Sequence, residues 1–162
     1  MAAGLGVNMN ADLWSFALST YARPGVEAAC LRLQEQREDV CLLLCGAWLE
    51  QRGVALEPGR VRTLQQLARP WQAQVIEPLR QLRMQWRAMA QQDEQLAALR
   101  ERVKALELDA ERQLLTRLEA LTQAWPTGEM TQQPWLEGLA AEDAANLDHD
   151  ALQQLRVMIT GT

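Results

Sequence analysis

The segment VCLLLCGAWL, residues 40–49, is the most apolar stretch of this chain of 162 residues. Apolar side chains would cover nearly every side of a helix formed by it, which is typical of a helix surrounded by other helices. Asp39 precedes the segment as a candidate N-cap, and Gly53 follows it as a candidate C′ residue. The stretch therefore predicts a central helix at residues 40–52. Gly46 would let one neighbouring helix approach it closely.

This segment holds two of the three cysteines, Cys41 and Cys45, which would lie on one helix face, four residues apart. A tetrahedral zinc site would need two further ligands, and the candidates Cys30 and His149 are distant in sequence. A disulfide between the pair is unfavourable, because their Cα atoms would be about 6 Å apart with parallel Cβ vectors. We therefore expect the cysteines to pack in the core, and we expect neither a metal nor a cofactor.

The rest of the chain also favours helices. Apolar residues recur at spacings of three and four, and no stretch alternates apolar and polar residues over six positions. Pro58 suits the start of a fourth helix, and Pro70 would end it, because proline disfavours helical conformation in the preceding residue. A fifth helix is expected from about Trp71 to Met89, with a kink at Pro78.

One long helix is predicted from Asp93 to about Trp125 by an apolar stripe that resembles a coiled coil. The stripe consists of Leu96, Leu99, Val103, Leu106, Ala110, Leu114, Leu118, Leu121 and Trp125. A single helix that ran on from the fifth would place Asp93 on the apolar seam. We therefore expect a tight turn at residues 91–93, which makes residues 71–125 a long helical hairpin.

The predicted fold class is all-α: a compact bundle of five or six helices with this long hairpin and a looser C-terminal segment. Residues 1–125 are expected to form the helical bundle domain. Pro126 and Gly128 end the long helix. Residues 126–162 are then expected to form a linker and a C-terminal helical tail that packs on the same domain.

Several segments of the chain carry a resemblance to a known family. They are DLWSFA (12–17), YARPGVEAAC (21–30), DVCLLL (39–44), Trp71, PLR (78–80), Arg83 and ELDAE (107–111). Over about residues 12–118, the chain resembles a small proteobacterial family that is known as a domain of unknown function. Cys41 is one departure, because a polar residue, often Asn, is expected at that position. The resemblance implies a small cytoplasmic helical protein and carries no assigned activity.

Charge is unevenly distributed along the chain, whose net charge is −5. Residues 60–90 contain six arginines and one acid, Glu77, whereas the segments on either side are net acidic. The acidic total argues against a general nucleic-acid binder. The basic stretch can either neutralise another part of the fold or form a patch for an anionic partner.

The basic stretch provides the candidate anion-binding or partner-binding face. It comprises Arg60, Arg62, Arg69, Trp71, Arg80, Arg83, Trp86 and Arg87. Arginine and tryptophan together could hold a phosphate-bearing ligand or single-stranded RNA. The alternative is internal charge matching across the hairpin, with Arg83 opposite Glu101 and Glu77 opposite Lys104.

Leu108 and Leu115 lie off the main apolar stripe of the long helix. A second apolar strip on a helix already committed to a core indicates contact with a partner protein or with another copy of the chain. The alternative is that the C-terminal segment folds back and covers this strip.

The G-x-S-x-G, P-loop and Rossmann glycine motifs do not occur in the sequence. Glu107 and Glu111 share a helix face, but the Glu-x-x-His pairs of di-iron bundles are missing. We therefore expect no catalytic residues, no cofactor-binding residues and no metal ligands.

The leading hypothesis is a non-enzymatic protein-interaction or regulatory accessory module that binds a partner, or itself, through the 71–125 hairpin. The second hypothesis is an RNA- or ribosome-associated accessory protein that uses the Arg/Trp face, and the third is an enzyme or cofactor carrier. We expect a bacterial cytoplasmic location, since no basic N-terminal signal region is visible and the cysteine number is odd. We expect no membrane span, because the longest apolar run has ten residues and crossing a bilayer takes about 20.

Overall fold

The structure, a computed structural model, describes residues 12–35, 38–128, 134–140 and 149–160. In chain order the helices are α1 (Leu13–Tyr21), α2 (Val26–Glu35), α3 (Val40–Gln51), α4 (Pro58–Trp71), α5 (Glu77–Gln85), α6 (Arg87–Ala90), α7 (Glu94–Thr122), α8 (Trp135–Ala140) and α9 (His149–Thr160). A π-helical turn, Gln72–Ile76, joins α4 to α5. No strand occurs in these residues, and the all-α fold class is confirmed. None of the described helices has the length and apolar composition needed to cross a membrane.

α3 is the centre of the core, as its composition predicts. Its residues from Val40 to Glu50 are all buried, and it contacts α1, α2, α4, α7 and α8. Asp39 caps its first turn by accepting a hydrogen bond from the Leu42 N–H at 3.0 Å. Beyond its last turn, Gly53 adopts a φ of 68°, which glycine tolerates without strain. Both predicted ends of the central helix are therefore confirmed.

α8 lies against the glycine of α3. A Cβ atom at Gly46 would come within 2.6 Å of Leu139 Cδ1 and 3.3 Å of Trp135 Cβ, so the missing side chain permits the observed packing. The Trp135 indole is fully buried and donates a hydrogen bond to the Val54 carbonyl at 2.8 Å. It also stacks on Trp125, with ring centroids 6.2 Å apart. The predicted close approach at Gly46 is confirmed.

α9 is attached to the core by an arginine. Arg156 donates two hydrogen bonds to the buried Glu50 of α3, at 2.9 and 2.5 Å, and its Nε donates to Glu137 of α8 at 2.5 Å. Ala151 and Leu155 of α9 are fully buried, and the helix packs along α2. The described helices of the C-terminal segment therefore contribute to the same core as α3.

The prediction that Pro70 ends the fourth helix is wrong. α4, the π-helical turn and α5 form one continuous helical run, and Pro70 lies inside α4. Pro70 and Pro78 are both exposed, so water can satisfy the carbonyl groups that lose an amide donor. The irregularity expected at Pro78 takes the form of the π-helical turn directly before it, where the Glu77 N–H bonds to the Gln72 carbonyl five residues earlier.

A tight turn at residues 91–93 separates α6 from α7, as predicted, and creates the long helical hairpin. Asp93 caps α7 by accepting hydrogen bonds from the N–H groups of Gln95 and Leu96, both at 3.1 Å. We refer to residues 77–106 as the arm, because α5, α6 and the first half of α7 pack mainly on one another. No residue of the arm is buried, whereas the second half of α7 packs in the core.

Gly46→Ala is expected to destabilise the fold by about 1–3 kcal/mol, because the added methyl group overpacks the contact with Leu139 and Trp135. This effect exceeds the gain of up to ~1 kcal/mol that alanine brings to a helix interior. Urea denaturation followed by circular dichroism measures the change. Gly59→Ala is the matched control, because the nearest atom to a Cβ there is Arg62 Nη2 at 4.0 Å. Equal stability of the two variants would contradict the packing described for α8.

Candidate functional site

A groove of about 570 Å³ lies between the arm and the core, formed by α1, α2 and α3 together with α5 and α7. Its apolar lining includes Leu18, Leu31 and Leu108, which are 51%, 48% and 50% exposed. Its polar lining includes Tyr21, Glu27, Asp39, Arg80, Arg83, Glu101, Lys104, Glu107 and Glu111. Ligand pockets commonly have volumes of ~300–1,000 Å³, so the groove is the candidate functional site.

An ion-pair cluster around the buried carboxylate of Glu107 joins the two helices of the hairpin beside the groove. Glu107 of α7 is 6% exposed and accepts hydrogen bonds from Arg83 Nε at 2.6 Å and from Arg80 Nε at 3.3 Å. The two arginines are three residues apart on α5, so one helix face delivers both guanidinium groups to the same carboxylate. Arg100 Nε donates a further hydrogen bond to the Arg83 carbonyl at 2.8 Å. The cluster therefore fixes α5 against α7.

Arg80 lies at the centre of this cluster, with its side chain 11% exposed. It also donates to Glu77 Oε2 at 3.1 Å, and its Nη2 lies 3.6 Å from Glu111 Oε1. Three carboxylates thus surround one guanidinium, whose forked donors suit several oxygen acceptors at once. Arg80, Asp39 and Gln72 also line a second cavity of about 470 Å³, which reaches α8, so Arg80 is shared between the two cavities.

Burial changes the protonation of the carboxyl groups near Arg80. Burial and the neighbouring Glu107 raise the pKa of Glu111 to about 7, and Arg80 offsets only part of this. Burial likewise raises the pKa of Asp39 to about 6, against the lowering effect of its hydrogen bond from the Leu42 N–H. Both carboxyl groups therefore titrate much closer to neutral pH than an exposed carboxyl group does.

The thiol and phenol groups near the groove are held in their protonated forms. Burial raises the pKa of Tyr21 to about 12 and the pKa of the Cys41 thiol well above its ordinary value. Cys30, Cys41 and Cys45 are buried as free thiols, so the prediction that they pack in the core is confirmed. Within the described residues, no group of His, Cys, Asp and Glu side chains is arranged to hold a metal ion. The side chain of His149 lies outside the described parts of the chain.

The predicted Arg/Trp face is divided among different environments. Arg80 and Arg83 belong to the ion-pair cluster around Glu107. Trp71 instead packs against the core and donates its Nε1–H to the Ala110 carbonyl at 2.9 Å. The Arg117 guanidinium lies over the Trp71 ring, 4.1 Å from its centroid. Trp71 is therefore held between α7 residues.

The remaining members of that face are spread along the chain from the start of α4 to the start of α6. Arg60 bonds to the Ala55 carbonyl at 2.8 Å, pairs with Glu57 at 3.4 Å and lies over the Trp125 ring, 5.3 Å from its centroid. Arg69 lines the second cavity, Trp86 is partly buried, and Arg62 and Arg87 are exposed. Arg60 and Arg80 are twenty residues apart, about 30 Å along a helix, so the structure does not bring them together.

The charge pairing predicted across the hairpin is wrong in its register. Arg83 bonds to Glu107 and not to Glu101, and Glu77 pairs with Arg80 and not with Lys104. The hairpin is thus held by internal ion pairs, as one of the two interpretations proposed, but with different partners.

The leucines of α7 also differ from the predicted stripe. Leu99 and Leu106 were expected in the apolar seam, but they are 47% and 53% exposed. Next to Leu106, Glu107 takes the seam position beside the two arginines of α5. Of the two residues off the stripe, Leu115 is buried in the core and Leu108 is exposed in the groove. The second strip is therefore partly covered by the core and partly open.

Sequence reasoning did not identify the groove residues that α1 and α2 contribute. Leu18 lies on the apolar stripe of α1, which it forms with Leu13, Trp14, Ala17 and Tyr21, and would be expected to face the core. Leu31 lies off the stripe of α2 that is formed by Val26, Ala29, Cys30 and Leu33. An off-stripe leucine was therefore a usable signal in α2, as Leu108 was in α7.

The groove lies in a part of the chain that matches a known family. The family described as "Protein of unknown function (DUF2390)" matches residues 12–118, more than half of the chain. The chain belongs to this family. The DUF2390 segment contains α1 to α6 and most of α7, and every residue that lines the groove lies between Trp14 and Leu115, inside it. Comparison with curated proteins and with solved structures gave no match.

Glu111→Gln is expected to change the pH dependence of stability. The folded protein holds the Glu111 proton up to a pKa of about 7, whereas the unfolded chain releases it near the ordinary pKa of 4.5. The wild-type free energy of unfolding therefore loses a contribution as the pH rises from about 4.5 to about 7. Glutamine cannot ionise, so the variant should gain stability relative to the wild type across this window. Urea denaturation between pH 4.5 and pH 8 measures the difference, and a difference that is constant with pH would contradict the raised pKa of Glu111.

Proposed function

We propose that this protein is a non-enzymatic interaction module that binds a helical segment of a partner protein in the groove. Leu18, Leu31 and Leu108 come from three different helices, line the same groove and are each about half exposed. Single exposed leucines are common on protein surfaces and need no explanation. Several of them in one concave site mark a place where a partner binds. This convergence of leucines is the observation that carries the proposal.

A helix is the kind of segment that this site fits best. The groove is formed by helices, so an added helix would pack on them through the same ridge-into-groove contacts that hold a helical bundle together. Helix-in-groove recognition uses apolar side chains at positions i, i+3, i+4 and i+7 of the bound helix. Strand addition needs a free sheet edge, and no strand occurs in the described part of the chain.

The pairing of the arginines favours a protein partner over RNA. Arg80 and Arg83 both bond to Glu107, and Arg60 pairs with Glu57, so these charges are balanced within the fold. A nucleic-acid-binding surface instead presents its cations to phosphate groups.

We also propose that the protein acts in the cytoplasm. Its three cysteines, Cys30, Cys41 and Cys45, are all free thiols in the structure. Free thiols are typical of reducing compartments, whereas small secreted domains commonly use their cysteines in disulfides.

The interaction proposal is tested by recovering partners from native extract with tagged full-length protein. Leu18→Ser combined with Leu108→Ser removes two apolar anchors from the groove. Leu99→Ser combined with Leu106→Ser is the matched control, because these leucines are 47% and 53% exposed and do not line the groove. Quantitative mass spectrometry then compares the wild type with both variants.

We expect the wild type and the control variant to recover the same partner in similar amounts. The groove variant should recover at least about tenfold less of that partner. The expected loss follows from the ~2 kcal/mol or more that a central apolar anchor contributes at an interface. Retention of every partner by the groove variant, or equal losses in the two variants, would contradict the proposal.

A further inference from the structure

We infer that the helix bound in the groove carries basic side chains beside its apolar face. The inference rests on the proposed function and adds the chemical class of the partner. It depends on the charged residues that line the groove together with the three leucines.

Carboxylates outnumber cations in the groove lining. The carboxylates are Glu27, Asp39, Glu101, Glu107 and Glu111, and the cations are Arg80, Arg83 and Lys104, which leaves an excess of two negative charges. If Asp39 and Glu111 are both protonated, three charges of each sign remain. The lining is therefore neutral to acidic, and it complements a basic partner better than an acidic one.

The exposure of these groups decides which charges a partner meets. Glu107 is buried, and its carboxylate is already bonded to two arginines. Glu27 of α2 and Glu101 of α7 are exposed, as is Lys104 of α7. A bound helix would thus meet two exposed carboxylates and one exposed cation along the groove.

The spacing between leucines and carboxylates suits a bound helix. Glu101 and Leu108 are seven residues apart on one face of α7, two turns or roughly 10 Å along its axis. Glu27 and Leu31 are one turn apart on α2. A helix that follows α7 would place an apolar side chain against Leu108 and a basic side chain near Glu101. The matching partner sequence therefore has Lys or Arg one to two turns from an apolar anchor.

Selection from a phage-displayed library of helix-forming peptides tests this inference. Each peptide carries a fixed apolar face at i, i+3, i+4 and i+7 with random flanking residues, and the bait is the full-length protein. The affinities of synthesised winners are measured by fluorescence anisotropy for the wild type and for two charge variants. Glu27→Gln with Glu101→Gln removes two groove charges, and Glu35→Gln with Asp109→Asn removes two exposed charges outside the groove.

We expect the enriched peptides to carry more Lys and Arg than Asp and Glu on their flanks. The groove charge variant should bind them about three- to tenfold more weakly than the matched charge variant, because two exposed ion pairs are lost. The Leu108→Ser variant should also bind them more weakly than the wild type does.

Neutral or acidic flanks, or equal weakening by the two charge variants, would overturn the inference about basic side chains. If the selected peptides still bound the Leu108→Ser variant more weakly than the wild type, the proposed function would stand, and only the inference about basic side chains would be overturned. Peptides that bind the Leu108→Ser variant as tightly as the wild type, or a selection with no enrichment, would overturn both.

Discussion

The carboxylate of Glu107, bonded to two arginines in the seam of the hairpin, is the interaction on which the arm depends. Glu107 lies where α7 meets α5 and pairs with Arg83 at 2.6 Å and with Arg80 at 3.3 Å. A buried charge that loses its partner destabilises a protein by roughly 3–5 kcal/mol, so the two helices are stable together in the register that supplies both guanidinium groups. No residue of the arm is itself buried, so few apolar contacts could hold another register.

The same register determines which side chains of α7 line the groove. Each residue of a helix is rotated by about 100° from the one before, so Leu106 and Leu108 lie on opposite flanks of a helix whose seam contains Glu107. Leu108 and Glu101 then share the flank that faces the groove, where they stand with Leu18 and the other residues of α1 and α2. The buried ion pairs and the proposed binding site are therefore parts of one arrangement.

Local signals in the sequence predict a large part of this fold. The apolar stretch 40–49 predicts the central helix, Gly46 predicts the close approach of a neighbour, and Asp93 predicts the hairpin turn. The register could not be predicted in the same way, because Glu101 and Glu107 both offer a carboxylate and are less than two turns apart. The groove could not be predicted either, because it forms between helices that are distant in sequence, and the spacing within a helix does not determine how helices pack.

A double-mutant cycle between Arg83 and Glu107 tests most directly whether the buried ion pair sets the register. Free energies of unfolding are measured by urea denaturation for the wild type, Arg83→Met, Glu107→Leu and the double variant, and a second cycle pairs Arg83→Met with Glu101→Leu. We predict a coupling energy of about 1–3 kcal/mol in the first cycle and less than ~0.5 kcal/mol in the second. A coupling near zero between Arg83 and Glu107, with the larger value between Arg83 and Glu101, would contradict the register and the position of the groove residues that follow from it.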